Sequence, residues 1–362
     1  MNGVQQLTAL VDAVDIDVPV GHRRRIAIVG AGAIVENAHL PAYRAAGLEV
    51  VGIFDLDGVR AKTVAETFDL PRVYSSLEEL LADPQVEVVD IAVVADAQPS
   101  IVRAAIAAGK DMLCQKPFAP HLDTADELIA LAAEHGRKIA VNQQMRFDEG
   151  ISVARAALQA GWIGEATTMS FHVDIATDFS AWPWLVSSER LEISYHSIHY
   201  LDAIRSILGD PVKVFCAGSR RPGQVPRGET RTMSTLLFAN GTRAVLHVNH
   251  ENLGGDYRAE FRLDGTQGSV RGTLGLLYDY PRGRPDTAEI FSRTLPTDGW
   301  LPYPVTRRWI PDAFLGPMAG LLRWIATGER APTAAADNVK TLALVEALYA
   351  SMETGEAQVP RS

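Results

Sequence analysis

A short apolar run that ends in a glycine turn constrains the fold of this chain more than any other feature. Ile26–Val29 is apolar throughout, and Gly30-Ala31-Gly32 follows it directly before a helical pattern. Glycines in this position let backbone N–H groups and the start of the next helix approach a phosphate. The arrangement predicts a strand, a tight turn and a helix, and it makes Gly30, Gly32, Ala33 and Ile34 candidate contacts to a dinucleotide.

Short apolar runs then alternate with helical patterns as far as Asn142, and this alternation predicts a parallel sheet with crossover helices. We therefore expect a Rossmann domain over residues 23–143. The expected strands after Ile26–Val29 are Glu49–Asp55, Val88–Val94, Asp111–Cys114 and Lys138–Asn142. The expected helices are Ala38–Ala46, Val59–Phe68, Ser76–Ala82 with a serine cap, Gln98–Ala108 and Leu122–His135.

The second part of the chain, residues 144–362, has longer strands in direct succession, which predicts an open, mostly antiparallel sheet. The expected strands are Ala166–Ile175, Val212–Ser219, Thr230–Ala239, Thr242–Asn249 and Tyr257–Leu263. Asn240-Gly241 and Asp264-Gly265 supply turns. A helix is expected at Ser197–Leu208, an irregular loop at Tyr280–Pro311, and two closing helices at Asp312–Thr327 and Asp337–Glu353. The fold class is thus α/β followed by α+β.

Charge and composition narrow the class of partner. The 44 acidic and 34 basic residues give a net charge of −10, which disfavours nucleic acid and anionic membranes because both attract cationic surfaces. No apolar run reaches the roughly 18 residues of a membrane span. The two cysteines lack metal-ligand spacing and fit a reducing cytoplasm. Residues 1–22 lack the order of a secretory signal and are interpreted as a flexible extension.

Asp55 is the residue that bears on the choice of nucleotide. It ends the expected second strand, 23 residues after Gly32, where a carboxylate can accept both ribose hydroxyls and repel a 2′-phosphate. NAD is therefore expected, with NADP the less favoured alternative because Arg60 lies nearby. A second interpretation is that Asp55 only caps a turn with Asp57 and Gly58.

Two further segments complete a pattern. Gln115-Lys116-Pro117 follows the strand Asp111–Cys114, and Tyr195-His196-Ser197-Ile198-His199 precedes a helix. In this order, behind the glycine turn, they resemble the glucose-fructose oxidoreductase, inositol dehydrogenase and MocA (Gfo/Idh/MocA) family. The resemblance extends from Arg23 to the last helix.

The resemblance implies that Lys116 lies beside the nicotinamide and the substrate hydroxyl. An ammonium there can hydrogen-bond the reacting oxygen and stabilise its charge. Family members carry glutamate where this chain has Gln115, and loss of that negative neighbour is expected to lower the pKa of Lys116 relative to the family. The alternative is an ordinary surface lysine at a strand end.

The family's catalytic histidine is matched by His199, whose neutral imidazole would take or return the hydroxyl proton. Tyr195 stands in place of the family aspartate, and it is a poor base unless a cation lowers its pKa. His196 is a candidate substrate contact or a structural hydrogen-bonding residue. Asp202 orients His199 or only solvates a helix face.

Three more side chains are candidate substrate contacts. Arg146 binds the substrate or braces the domain junction. His172 and Trp184 are placed facing the substrate, since aromatic rings with polar groups suit sugars, although a core role for the tryptophan is an equal alternative.

The resemblance implies an NAD-dependent oxidoreductase that moves a hydride between nicotinamide and a secondary alcohol of a sugar, cyclitol or sugar derivative. Two alternatives remain: an NAD-dependent glycosidase that oxidises a sugar transiently, and a non-catalytic sugar or nucleotide sensor. A homodimer or homotetramer is expected, because the open sheet face would otherwise leave apolar surface in water.

Overall fold

The computed structural model describes residues 10, 14–280, 283–295 and 299–361. It separates into two compact units. The first unit comprises Ile16–Phe147 and Ile310–Leu342, and the second comprises Asp148–Trp309 with the described residues before Ile16 and after Leu342. These units do not coincide with the predicted limits 23–143 and 144–362, because the segment Ile310–Leu342 packs with the first half of the chain.

The first unit contains a five-stranded sheet in the order β2-β1-β3-β4-β5. All four neighbouring pairs are parallel, which confirms the predicted Rossmann-like sheet. Its strands are β1 Ile26–Val29, β2 Val50–Phe54, β3 Val88–Ile91, β4 Asp111–Cys114 and β5 Ile139–Val141. Strand β3 ends three residues earlier than predicted because Val94 turns the chain, its carbonyl accepting the Ala97 N–H at 3.0 Å.

The helices of this sheet lie close to their predicted positions. They are α1 Leu40–Ala45, α2 Gly58–Phe68, α3 Leu77–Ala82, α4 Gln98–Ala107 and α5 Leu122–Glu134. Asp57 caps α2, and Ser76 caps α3 by accepting the Glu79 N–H at 3.1 Å, as predicted. The helical segment before α1 differs, because Val35–His39 forms a wider π-helical turn.

Both faces of this sheet are covered. Side chains alternate along a strand, so Ile26 and Ile28 join one buried cluster, whereas Ala27 and Val29 join the other. A parallel sheet enclosed in this way explains why its strands are continuously apolar. Helix α9, Leu315–Thr327, contributes Met318 to the first cluster.

The predicted N-terminal extension is corrected in part. Ile16 and Val18 are buried in the same core cluster as β1, and Val20–His22 forms a 3-10 turn. Residues 16–22 are therefore part of the folded first unit, held by burial of their apolar side chains. Leu10 and Val14 are buried as well, and residues 1–9 and 11–13 of the predicted extension lie outside the described residues.

The second unit contains an eight-stranded sheet in the order β13-β12-β11-β10-β6-β9-β8-β7. Neighbours are antiparallel except for β6 and β9, so the predicted mostly antiparallel sheet is confirmed. The strands are β6 Ala166–Asp174, β7 Lys213–Ser219, β8 Arg231–Leu237, β9 Arg243–Asn249, β10 Arg258–Gly265, β11 Gly268–Thr273, β12 Thr287–Ser292 and β13 Leu301–Tyr303.

Two of these strands lie where an irregular loop was predicted, and that prediction is wrong. Strands β12 and β13 fall inside Tyr280–Pro311, and β11, also missed, pairs with β12. The glycines of β11 weaken its strand signal in the sequence. In the structure, a Cβ on Gly272 would lie 2.2 Å from the Thr287 carbonyl oxygen. Glycine at this position allows the close backbone approach of the two strands.

One face of the second sheet is covered by helices. The remaining helices are α6 Glu149–Gln159, α7 Pro183–Val186, α8 Ile198–Leu208 and α10 Ala335–Thr354. Phe171 on β6 packs against Tyr200 of α8, with ring centroids 5.3 Å apart. Within the part of the chain that the structure describes, no helix combines the length and apolarity needed to cross a bilayer. The predicted cytoplasmic location stays a prediction.

Candidate functional site

The two glycines of the first turn have different surroundings. Gly30 has a φ of 107°, and a Cβ there would lie 2.5 Å from the carbonyl oxygen of Ala92. A Cβ on Gly32 would meet nothing within 4 Å. Gly30 thus allows the turn itself, whereas Gly32 leaves open space at the start of the helix. Ala33 and Ile34 form the first helical turn, whose N–H groups have no intrahelical acceptor and suit a pyrophosphate.

Asp55 follows β2 and faces this turn. One carboxylate oxygen accepts the Ala31 N–H at 2.7 Å, and the other accepts the Asp57 N–H at 2.8 Å. The ribose-binding and turn-capping interpretations are therefore compatible. Arg60 is the residue that left NADP as an alternative cofactor. Its guanidinium lies 3.3 Å from the Asp57 carboxylate, so part of its positive charge is neutralised within the chain.

The Lys116 turn, residues Gln115-Lys116-Pro117 at the end of β4, is held by two side-chain amides. Gln98 Nε2 donates to the carbonyl oxygens of Gln115 and Pro117 at 2.9 and 2.8 Å. Gln115 Oε1 accepts the Lys116 N–H at 3.0 Å. Sequence reasoning did not assign Gln98, although a glutamine at the first position of a mostly apolar helix was a signal. The Lys116–Pro117 peptide bond is cis.

Burial changes the acidity of the lysine. Loss of solvation disfavours the ammonium and lowers the pKa of Lys116 to about 7. Both protonation states are then accessible near neutral pH, as a proton-transfer residue requires. Burial is the cause of this shift, and the expected effect of Gln115 relative to the family's glutamate stays a prediction.

We call residues Tyr195-His196-Ser197-Ile198-His199 the histidine turn. It lies in a second π-helical segment, Ile193–Ser197, and in the start of α8. The His196 ring lies 4.4 Å from that of His250 and 5.9 Å from that of Phe179. His199 is 6% exposed and its ring lies 5.4 Å from Trp309. π-helical segments recur at functional sites because they redirect side chains within a helix.

Tyr195 points toward aromatic neighbours. Its ring lies 5.1 Å from that of Trp184 in an edge-on arrangement, and it packs on the small cluster of Phe179, Leu185 and Leu191. Trp184 itself is 46% exposed. The structure thus places these two predicted residues together.

Two buried carboxylates that the sequence did not reveal hold this turn. Glu229 accepts the N–H groups of Leu191 and Ile193 at 3.2 and 3.1 Å and the Tyr349 hydroxyl at 2.6 Å. Glu192 accepts the hydroxyls of Ser197 and Thr232. Burial raises the pKa of Glu192 to about 7.

His250 is a further residue that sequence reasoning missed. It is buried, and loss of solvation lowers its pKa to about 3, so its imidazole is neutral. Its Nδ1 lies 2.7 Å from the Thr177 hydroxyl oxygen. A neutral ring against His196 supplies hydrogen-bonding capacity without positive charge.

The structure does not place His172 with the histidine turn, and this prediction is corrected. On β6, Phe171 faces α8, so the adjacent His172 faces the opposite side of the sheet. There its Nε2 lies 3.2 Å from His247 Nδ1.

Arg146 has hydrogen-bond partners within the first unit, and its predicted role in substrate binding or at the domain junction stays a prediction. Its guanidinium donates to the Pro332 carbonyl oxygen at 2.7 Å and to the Asp337 carboxylate at 2.6 Å. The side chain is buried, and these contacts lie within the first unit.

Two family models match the chain. The model of the GFO_IDH_MocA oxidoreductase family with an NAD-binding Rossmann fold matches residues 24–143. The model of the GFO/IDH/MocA C-terminal domain matches residues 151–271.

The chain is also similar to individual oxidoreductases of known name or structure. The chain is 30% identical over 335 residues to D-apiose dehydrogenase of Rhizobium rhizogenes, covering 91% of this chain and 95% of that protein. It is 30% identical to inositol 2-dehydrogenase of Acidothermus cellulolyticus, covering 68% and 72%. An oxidoreductase from Agrobacterium radiobacter, solved with NAD+, L-tartaric acid and magnesium, superposes with a TM-score of 0.82 at 27% identity and covers 93% of this chain and 98% of that one.

Proposed function

The chain belongs to the Gfo/Idh/MocA family of NAD-binding oxidoreductases, and we propose that it oxidises a secondary alcohol of a sugar or cyclitol with Lys116 as the proton carrier. The observation that carries the proposal is the Lys116 turn. Its backbone is fixed by Gln98 and Gln115, and its ammonium has a pKa of about 7.

The proposed division of labour follows from these groups. NAD supplies the hydride acceptor when bound. The backbone N–H groups at Gly32, Ala33 and Ile34 bind its pyrophosphate, and Asp55 binds the adenosine ribose. Lys116, as the neutral amine, accepts the hydroxyl proton during oxidation and returns it during reduction, and as the ammonium it stabilises negative charge on the substrate oxygen.

The histidine turn supplies the other roles. We assign His199, together with Lys116, to taking and returning the hydroxyl proton, and His196 to a substrate hydroxyl, with neutral His250 behind His196. Tyr195 and Trp184 form an aromatic surface of the kind that packs on a sugar ring. The relatives act on D-apiose and inositol, which makes polyhydroxylated substrates of this size the first class to test.

A homodimer or homotetramer remains part of the proposal. Phe215, Met233 and Val245 are 39%, 60% and 43% exposed on the sheet face opposite α8. Burial of such side chains against a second copy would remove apolar surface from water.

The test is NADH formation against D-apiose, myo-inositol, other sugars and their glycosides. Lys116→Met is compared with Lys62→Met, whose lysine is exposed on α2. We expect turnover by the wild type and by Lys62→Met, and a loss of at least about a hundredfold in Lys116→Met. Release of the aglycone without net NADH would instead establish the glycosidase, and NAD binding with no turnover in the wild type would favour the sensor.

A further inference from the structure

A buried polar network lies behind the Lys116 turn in the first unit. His39 is 1% exposed and Asp90, on β3, is 0% exposed. His39 Nδ1 lies 2.7 Å from an Asp90 carboxylate oxygen, which also accepts the Tyr43 hydroxyl at 2.7 Å. On its other side, His39 Nε2 lies 3.0 Å from Gln115 Nε2 and 3.2 Å from Asn142 Nδ2.

The hydrogen-bonding capacities of these groups fix where the protons lie. A backbone N–H can only donate, so the Gln115 atom facing the Lys116 N–H at 3.0 Å is its oxygen. The Gln115 NH₂ group therefore faces His39 and donates to Nε2. His39 Nε2 must then carry no proton, and the ring's one proton is on Nδ1, where it is donated to Asp90.

The network has a structural origin in the π-helical turn Val35–His39. This turn inserts an extra residue before α1, and the side chains of Val35, Ala38 and His39 are all buried. The His39 ring packs edge-on against Phe314 at 5.1 Å. The imidazole is thus held by packing as well as by its hydrogen bonds.

We propose that His39 is a positioning residue for Lys116, and that Asp90 acts behind it by holding the proton on Nδ1. The chain of contacts runs from Asp90 to His39, to the Gln115 amide, and from the Gln115 oxygen to the Lys116 backbone. The role of Gln115 is then specific: a glutamine, unlike a glutamate, can donate to one neutral ring while accepting from the lysine N–H. Only the catalytic part of this proposal rests on the proposed function.

Two amide variants, each of which reproduces one ring nitrogen of His39, separate positioning from simple packing. In His39→Gln, the side-chain oxygen reaches the Nε2 position and still accepts from Gln115, while the bond to Asp90 is lost. In His39→Asn, the side-chain nitrogen occupies the Nδ1 position and still donates to Asp90, while the bond to Gln115 is lost. Each variant loses one buried hydrogen bond and part of the packing on Phe314, so a structural role alone predicts a lower melting temperature in both, without a change specific to Lys116.

Two readouts follow the Lys116 turn. One is the rate of Lys116 acetylation by acetic anhydride, measured by mass spectrometry against Lys62 in the same molecule, and it needs no substrate. The other is kcat and KM for NAD with the best substrate of the panel. We expect His39→Asn to change the relative acetylation rate at least about threefold and to lower kcat about tenfold with KM nearly constant, and His39→Gln to stay close to the wild type. Equal effects of the two variants on acetylation would overturn the proposal.

Nitrogen NMR of histidine-labelled protein tests the proton assignment directly. We expect the His39 ring to carry its proton on Nδ1, which faces Asp90, and none on Nε2, which faces the Gln115 amide. A ring protonated on Nε2 in the wild type contradicts the proposal. Absence of turnover with the expected NMR and acetylation results would instead overturn the proposed function and leave the positioning role in place.

Discussion

The backbone nitrogen of Ala31 lies 2.7 Å from the carboxylate of Asp55, so the glycine turn and the end of β2 are joined by a charge-assisted hydrogen bond. The negative charge that is expected to select NAD is therefore fixed beside the pyrophosphate turn. Arg60, the nearby cation, is paired with Asp57 at 3.3 Å.

Replacing Asp55 should alter the choice of nucleotide. In Asp55→Ser the charge that repels a 2′-phosphate is removed, so kcat/KM for NADP relative to NAD should rise at least about tenfold, equivalent to about 1.4 kcal/mol. Asp69→Asn, an exposed carboxylate on the same domain, is the control. An unchanged cofactor ratio in Asp55→Ser would show that the carboxylate only caps the turn.

Alanine substitutions of Gly30 and Gly32 should have different effects on stability and on NAD binding. Gly30→Ala places a methyl group 2.5 Å from the Ala92 carbonyl oxygen at a positive φ, and the melting temperature should fall. Gly32→Ala meets no atom within 4 Å, so its stability should be retained while NAD binding weakens. Thermal unfolding and NAD titration check both, and full NAD affinity in Gly32→Ala would contradict the assigned phosphate site.

Lys116 should make the free energy of unfolding depend on pH. Its pKa is about 7 in the folded chain and 10.5 as the unperturbed value. Between these values the unfolded chain binds a proton that the folded chain does not, so stability relative to Lys116→Met should rise from pH 7 to pH 10. The slope is at most about 1.4 kcal/mol per pH unit. Parallel stability curves for the two proteins would show that the lysine titrates normally.

The residue before the lysine should set the pH profile of turnover. Gln115→Glu adds a negative charge next to Lys116, which favours the ammonium and raises its pKa above about 7. The pH at which activity reaches half its maximum should therefore move to higher values. A profile of kcat against pH identical to that of the wild type would refute the link.

Glu192 should titrate in the opposite sense. Burial raises its pKa from 4.5 to about 7, so the folded chain holds a proton that the unfolded chain releases between these values. Relative to Glu192→Gln, the free energy of unfolding of the wild type should therefore decrease from pH 4.5 to pH 7. Denaturant unfolding at pH 5 and pH 8 measures this difference, and Glu346→Gln, a partly exposed partner of Arg190, serves as the control.

Local patterns predicted much of the fold. The glycine turn, the alternation of strands and helices, and the Ser76 cap depend on residues close together in the sequence, and the structure confirms all three. Strands β11 to β13 were missed because β11 contains two glycines, and β12 and β13 lie in a segment whose glycines and prolines give a weak strand signal. Pairing with neighbours distant in the chain determines them.

In the candidate site, too, some features follow from the local sequence and others depend on contacts between distant residues. The sequence by itself determined the family and the glycine turn, and it singled out Lys116 and His199 as candidates, since short motifs carry these. Only the tertiary structure decided that His172 faces away from the histidine turn, that Arg146 pairs with Asp337, and that Gln98 holds the Lys116 turn. The His39 network joins residues separated by up to 103 positions. Such contacts depend on how strands and helices pack, and packing brings together side chains whose spacing along the chain contains no pattern.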